Sequence, residues 1–85
     1  MKADHKQIKH LLNTAKGQID GLLKMVENDE YCINISNQLL ATIAILKKTN
    51  LEILNAHLHC CVLNADTNEK ESKMNEISQI LKKVL

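Results

Sequence analysis

The sequence predicts an all-α protomer of three helices, its apolar faces completed by antiparallel assembly into a bundle of dimers or larger oligomers. Three observations carry this expectation. The 85 residues contain no proline and only two glycines, so little interrupts a helix. Apolar residues recur at alternating spacings of three and four along most of the chain, the period of an amphipathic helix. Tyr31 is the one aromatic residue of the Phe, Trp and Tyr type. A core must therefore come from Leu, Ile, Val, Met and Ala, and a chain this short usually completes it with a staple, a metal or an oligomer.

In the first segment, DHKQIKHLLNTAKGQIDGLLKMVEN, the stripe is Ile8, Leu12, Ala15, Ile19, Leu22 and Val26, widened by Leu11 and Leu23. Asp4 followed by Gln7 has the spacing of a capping box. Gly17 and Gly21 either lower the helix's stability or mark the close approach of another backbone. ENDE then breaks the pattern, and a second helical run extends from about Tyr31 to Leu63. Ile35, Leu39, Thr42, Ile43, Leu46, Ile53, Leu54 and Leu58 cover more than one of its faces, so it should be the central helix, buried on two sides. NADTNEKES ends it, and Asp66 with Glu69, or Thr67 alone, caps a third helix. That helix carries Met74, Ile77, Leu81 and Val84, with Ile80 and Leu85 beside them. No repeat or linker divides the chain, so residues 1–85 read as a single domain.

Composition narrows the function. The formal charge is +1 and every basic residue is lysine, a weak footprint for nucleic acid, where local positive charge supplies the affinity. No apolar run is long enough to span a bilayer, and MKADHKQIKH has no apolar leader. Three cysteines, an odd number, fit a reducing, cytoplasmic setting with free or metal-bound thiols. No acid–base constellation suggests an enzyme.

The soft metal ligands concentrate in NAHLHCCVLN, residues 55–64. His57 and Cys61 are four apart and share a helix face, a ready two-point chelate. Cys32 begins the same predicted helix, 25 residues before His57, which on a straight helix is roughly 37 Å away. If the three residues bind one ion, Cys32 must come from a second subunit. Two such helices lying antiparallel supply this arrangement twice per dimer. Two thiolates and one imidazole suit Cu(I), which accepts three ligands, whereas Zn(II) and other divalent ions ordinarily require a fourth. Cys60, three residues from His57, is the auxiliary candidate, while His59 points elsewhere on an ideal helix. Cys32 sits near a helix N-terminus, where the dipole favours negative charge. The plain alternative is that buried cysteines act as small hydrophobes and that His5 and His10 are surface residues.

These residues resemble the copper-sensing operon repressor family, the CsoR/RcnR-like metal-sensitive repressors. KGQIDGLLKMVENDEYC matches the family's Gly-Gln pair, its second glycine four positions on and its acidic turn ending in Tyr-Cys. HLHCCV matches its His-Leu-x-x-Cys-Val block. The likeness runs from about Ile8 to Val62. It implies a three-helix protomer, a four-helix dimer core and a homotetramer. It further implies Cu(I) bound by Cys32 of one protomer and His57 and Cys61 of another, and operator DNA released when metal binds. Tyr31 matches a tyrosine that supports the ligands in the copper sensors. The corresponding glutamate of the third helix falls by a gapless count on Ile77, with Glu76 beside it. Relatives that sense persulfides keep only the two cysteines, here Cys32 and Cys61.

The family's arginines are absent. The first helix has Leu11, Thr14 and Asp20 in their places, the second has Ile43, and the acidic residue before Gly-Gln is Lys16. Lysine does not reproduce bidentate arginine contacts, and aspartate repels phosphate. Lys2, Lys6, Lys9, Lys16 and Lys24 form a replacement basic strip, or simply a solvated helix face. Three functions follow. The first is a Cu(I)-responsive repressor. The second is a copper-binding relative without DNA binding, acting as a buffer, a chaperone or the partner of a paralogue. The third is a persulfide or thiol sensor using Cys32 and Cys61.

Overall fold

A computed structural model describes residues 1–84, apart from the side chain of residue 62, and Leu85 lies outside the described residues. Helix α1 spans His5–Glu27, α2 spans Cys32–His57, a π-helical segment continues α2 over Leu58–Val62, and α3 spans Thr67–Val84. No strand occurs among the described residues.

Asp4 starts α1 by accepting the Lys6 N–H on Oδ1 at 3.0 Å, which satisfies a donor that the first turn leaves unpaired. The cap is a simple aspartate cap on Lys6 and not the expected box with Gln7. At the other end, Asn28, Asp29 and Glu30 donate their N–H groups to the carbonyls of Lys24, Val26 and Met25 at 2.9, 3.0 and 3.0 Å. Asp29 turns the chain with φ 54°, a left-handed conformation that aspartate tolerates and branched residues do not. Asp29→Val should therefore cost roughly 1–2 kcal/mol, read as a lower thermal midpoint at fixed protein concentration, whereas Asp29→Gly should not.

The four-residue turn folds α2 back antiparallel to α1. Ile8, Leu11, Ala15 and Leu22 are buried against it. From α2 the matching face is Ile35, Thr42, Ile45 and Thr49. The two buried threonines donate their hydroxyls to carbonyls one turn back, Thr42 to Gln38 at 3.1 Å and Thr49 to Ile45 at 2.8 Å, so neither polar atom is orphaned. The expected α1 stripe is thus divided. Leu12, Ile19, Leu23 and Val26 stay exposed, because a single partner helix covers only part of an apolar arc this wide. A Cβ placed on Gly17 or Gly21 would meet nothing within 4 Å, so no backbone approaches either glycine within the protomer.

Asp66 caps α3, accepting the Glu69 N–H on Oδ1 at 2.9 Å, as one of the two expected capping arrangements requires. Ile77 is buried with Leu54, and Leu58 and Leu81 close around them, so α3 is clasped to the last turns of α2.

The protomer is a thin plate, 55 × 26 × 12 Å, with a radius of gyration of 16.9 Å where a compact chain of this length would have about 12 Å. Its accessible surface is 6430 Å², against about 5,100 Å² for a compact monomer of this mass. Large apolar side chains contribute to the excess. Leu39, Ile43 and Leu46 are exposed on α2, and Leu40 is 61% exposed. The second apolar face read from the sequence is therefore real, and among the described residues only the end of α3, Lys83 and Val84, shares a groove with Ile43 and Leu46.

The expectation of a regular helix to Leu63 is corrected. α-helical geometry ends at His57, and the Leu63 N–H donates to the Leu58 carbonyl at 3.0 Å, an i→i+5 bond. Asn64 stabilises the widened end by donating from Nδ2 to the carbonyls of Cys60 at 3.1 Å and His59 at 3.4 Å.

Candidate metal centre

The π segment sets the direction of the ligands. A π turn holds about one residue more than an α turn, so each residue advances by roughly 80–85° instead of about 100°. From His57 to Cys61 the chain then falls about 20–40° short of a full turn, so the two side chains stay on one face, as they would on a regular α-helix, where they are offset by about 40°. The same unwinding turns Cys60 further from His57. Accordingly His57 and Cys61 line one cleft of about 380 Å³, and Cys60 does not line it. His59 is exposed and also outside the cleft.

The other walls come from three elements. Ile53 and Leu54 belong to α2, Ile80 comes from α3, and Met1 and Lys2 come from the segment before α1. The antiparallel hairpin places the start of α1 beside the end of α2, and this brings the chain's first residues over the cleft. Sequence reasoning did not find Met1 and Lys2 as neighbours of the chelate. The available signal was topological: a short turn between two long helices puts residues near position 5 beside residues near position 57. His5 itself is turned back on the arm, its Nε2–H donating to the Met1 carbonyl at 3.3 Å.

Cys32 is the first residue of α2 and is exposed. It stands 25 residues before His57 on an uninterrupted helix, roughly 37 Å away along the axis. Among the described residues no three His, Cys, Asp or Glu side chains of one protomer converge on a metal position. All three cysteines are free. The protomer therefore offers two half-sites at opposite ends of one rod: a thiol at the start, and a thiol with an imidazole at the end. Tyr31 precedes Cys32 and is 70% exposed, without a side-chain cap bond. Glu76 is exposed on α3, one turn from Ile80 of the cleft wall but outside the cleft. Neither residue is brought to His57 within the protomer.

The basic residues divide as well. Lys6, Lys9, Lys16 and Lys24 are all exposed and, at about 100° per residue, fall within one arc of roughly 80° opposite the buried face of α1. Asp20 and Glu27 lie in the same arc. Lys2 is separate from them at the metal cleft. Leu11 is buried between α1 and α2, so that position belongs to the core and not to the outer face.

The family model for metal-sensitive transcriptional repressors matches residues 4–83, almost the whole chain. The chain belongs to the metal-sensitive transcriptional repressor family. Membership of this family makes it a regulator and not an enzyme. Among curated members, the copper-sensing transcriptional repressor CsoR of Bacillus subtilis (strain 168) is 37% identical over 78 residues, which are 91% of this chain and 77% of that protein. The copper-sensing transcriptional repressor RicR of Mycobacterium tuberculosis is 37% identical over 54 residues, 64% of this chain and 56% of that one. The fold agrees with the crystal structure of the copper-sensing repressor CsoR with Cu(I) from Geobacillus thermodenitrificans NG80-2. The TM-score is 0.80 with 32% identity, over 92% of this chain and 82% of that one. The described residues form helices joined by turns, and no helix among them is long and apolar enough to cross a membrane.

Proposed function

We propose that this family member is a Cu(I)-responsive, cytoplasmic transcriptional repressor whose metal sites are shared between protomers, and that residues 1–85 act as one sensing domain. The observation that carries the reading is the placement of the donors. His57 and Cys61 share one cleft at the end of α2, and Cys32 stands free at the other end. An antiparallel pairing of two α2 helices through the open Leu39, Leu40, Ile43 and Leu46 face joins each half-site to its complement. That pairing buries the apolar excess and forms a homodimer with two sites, and the exposed part of the α1 stripe provides a second surface for a dimer of dimers. The donor set is two thiolates and one imidazole, which fits Cu(I) and leaves Zn(II) a ligand short. When bound, Cu(I) supplies a soft centre that ties the start of one helix to the end of another. The names of the copper-sensing relatives point the same way.

The regulatory step is a linkage between two binding events. A metal that favours one packing of the protomers weakens DNA affinity only as far as DNA favours another packing. The lysine arc on α1 is the surface for the phosphate backbone, and the cleft lies between α2, α3 and the segment that leads into α1.

One observation favours a second reading, a copper-binding member that does not engage DNA. Asp20 and Glu27 interrupt the lysine arc, and arginine is absent from the whole sequence. A titration of the apo-protein against DNA from its own promoter region, at low and moderate salt and with and without Cu(I), separates the two. The repressor binds in a salt-sensitive way and loses affinity on adding Cu(I). No binding even at low salt leaves the second reading.

A further inference from the structure

We infer that the thioether of Met1 is an additional ligand of the metal held by His57 and Cys61, so that each centre takes a sulfur from the N-terminal arm of the same protomer. The inference deepens the Cu(I) reading and rests on it.

Four observations lead here. The arm is tied to the helix: Ala3 is buried, Asp4 caps α1, and the His5 ring donates to the Met1 carbonyl at 3.3 Å, with the chain bent at Ala3. Met1 stands in the wall of the cleft lined by His57 and Cys61. Met1 is 61% exposed in the protomer, so the residue is not consumed by core packing. Its neighbours Ile53 and Leu54 are apolar and offer no competing donor. A thioether is a soft, uncharged donor that binds Cu(I) and discriminates against hard divalent ions. It has the further property of leaving the net charge of a two-thiolate Cu(I) centre unchanged. Lys2, in the same cleft, places an ammonium beside that negative centre. Met25 and Met74 lie in α1 and α3 and do not line this cleft.

Covering an apolar cleft is something leucine does as well as methionine, so Met1→Leu keeps the packing and removes only the sulfur. The chain and its Met1→Leu variant are released from the same cleavable N-terminal fusion and loaded with Cu(I). In parallel, a Met25→Leu/Met74→Leu chain is labelled with selenomethionine, which leaves selenium at position 1 alone. Selenium-edge X-ray absorption should then show copper at bonding distance. In competition with a Cu(I) chelator, Met1→Leu should bind about tenfold more weakly, with its Zn(II) affinity unchanged. A copper edge showing two sulfurs and one nitrogen, with no copper seen from selenium, overturns the inference and leaves the shared Cys32, His57 and Cys61 centre intact. Copper bound without any thiolate sulfur overturns both.

Discussion

Cys32→Ala and Cys61→Ala should each lower Cu(I) affinity by about a thousandfold or more, and His57→Ala by about ten- to a hundredfold. Removing a residue that only supports a metal ligand typically costs ten- to a hundredfold, and loss of a thiolate, the donor best matched to Cu(I), must exceed this. The imidazole is the more replaceable of the three donors, because the soft character of the centre survives on two sulfurs. The ordering is informative about geometry as well as chemistry. Cys32 lies roughly 37 Å along α2 from His57, so within one protomer its loss has no route to the cleft. An effect of Cys32→Ala equal to that of Cys61→Ala thus reports on the assembly. The measurement is competition against a high-affinity Cu(I) chelator under anaerobic conditions. Equal, tight binding by all three variants would contradict the assignment.

The second large effect concerns DNA. If Lys6, Lys9, Lys16 and Lys24 each neutralise one phosphate, log K falls with log salt at a slope of about −3.6 per protomer engaged. Raising salt from 50 to 200 mM then costs about two orders of magnitude in affinity. Replacing Lys9 and Lys16 by alanine should flatten the slope by about two per engaged protomer and weaken binding equally on every sequence, because phosphate contacts carry no base information. Asp20→Lys, which removes a negative charge from the middle of the same arc, should strengthen binding and steepen the slope. A salt slope unaltered by either change would place DNA on another surface.

Much of this architecture is legible in the residue order, since the period of the apolar residues locates three helices and Asp4 and Asp66 start two of them. The separation of Cys32 from His57 likewise states that one rigid helix cannot close the site. Other features depend on tertiary context. Whether Leu11 or Leu12 is buried depends on which part of a wide apolar arc meets α2, and periodicity does not distinguish neighbours on one arc. The π segment at Leu58–Val62 has no composition of its own. It depends on Asn64 holding the carbonyls of His59 and Cys60, and on Leu58 packing with Leu54 and Ile77. Its consequence, Cys60 turned further from His57, does not follow from the period of a regular helix, which places His57 and Cys61 on one face in either geometry. Met1 and Lys2 carry no motif, and only the hairpin's topology brings them to the cleft.

Complementation between two defective protomers tests the shared site most directly. Cys32→Ala chains and His57→Ala/Cys61→Ala chains, each unable alone to bind Cu(I) tightly, are unfolded together, refolded as a mixture, and the mixed dimers isolated by distinct tags. In an antiparallel pair one centre collects every lesion and the other collects none, so mixed dimers should recover one tight Cu(I) per dimer. Mixed dimers that bind no more tightly than their parents would show that the three donors do not meet across a pair of chains.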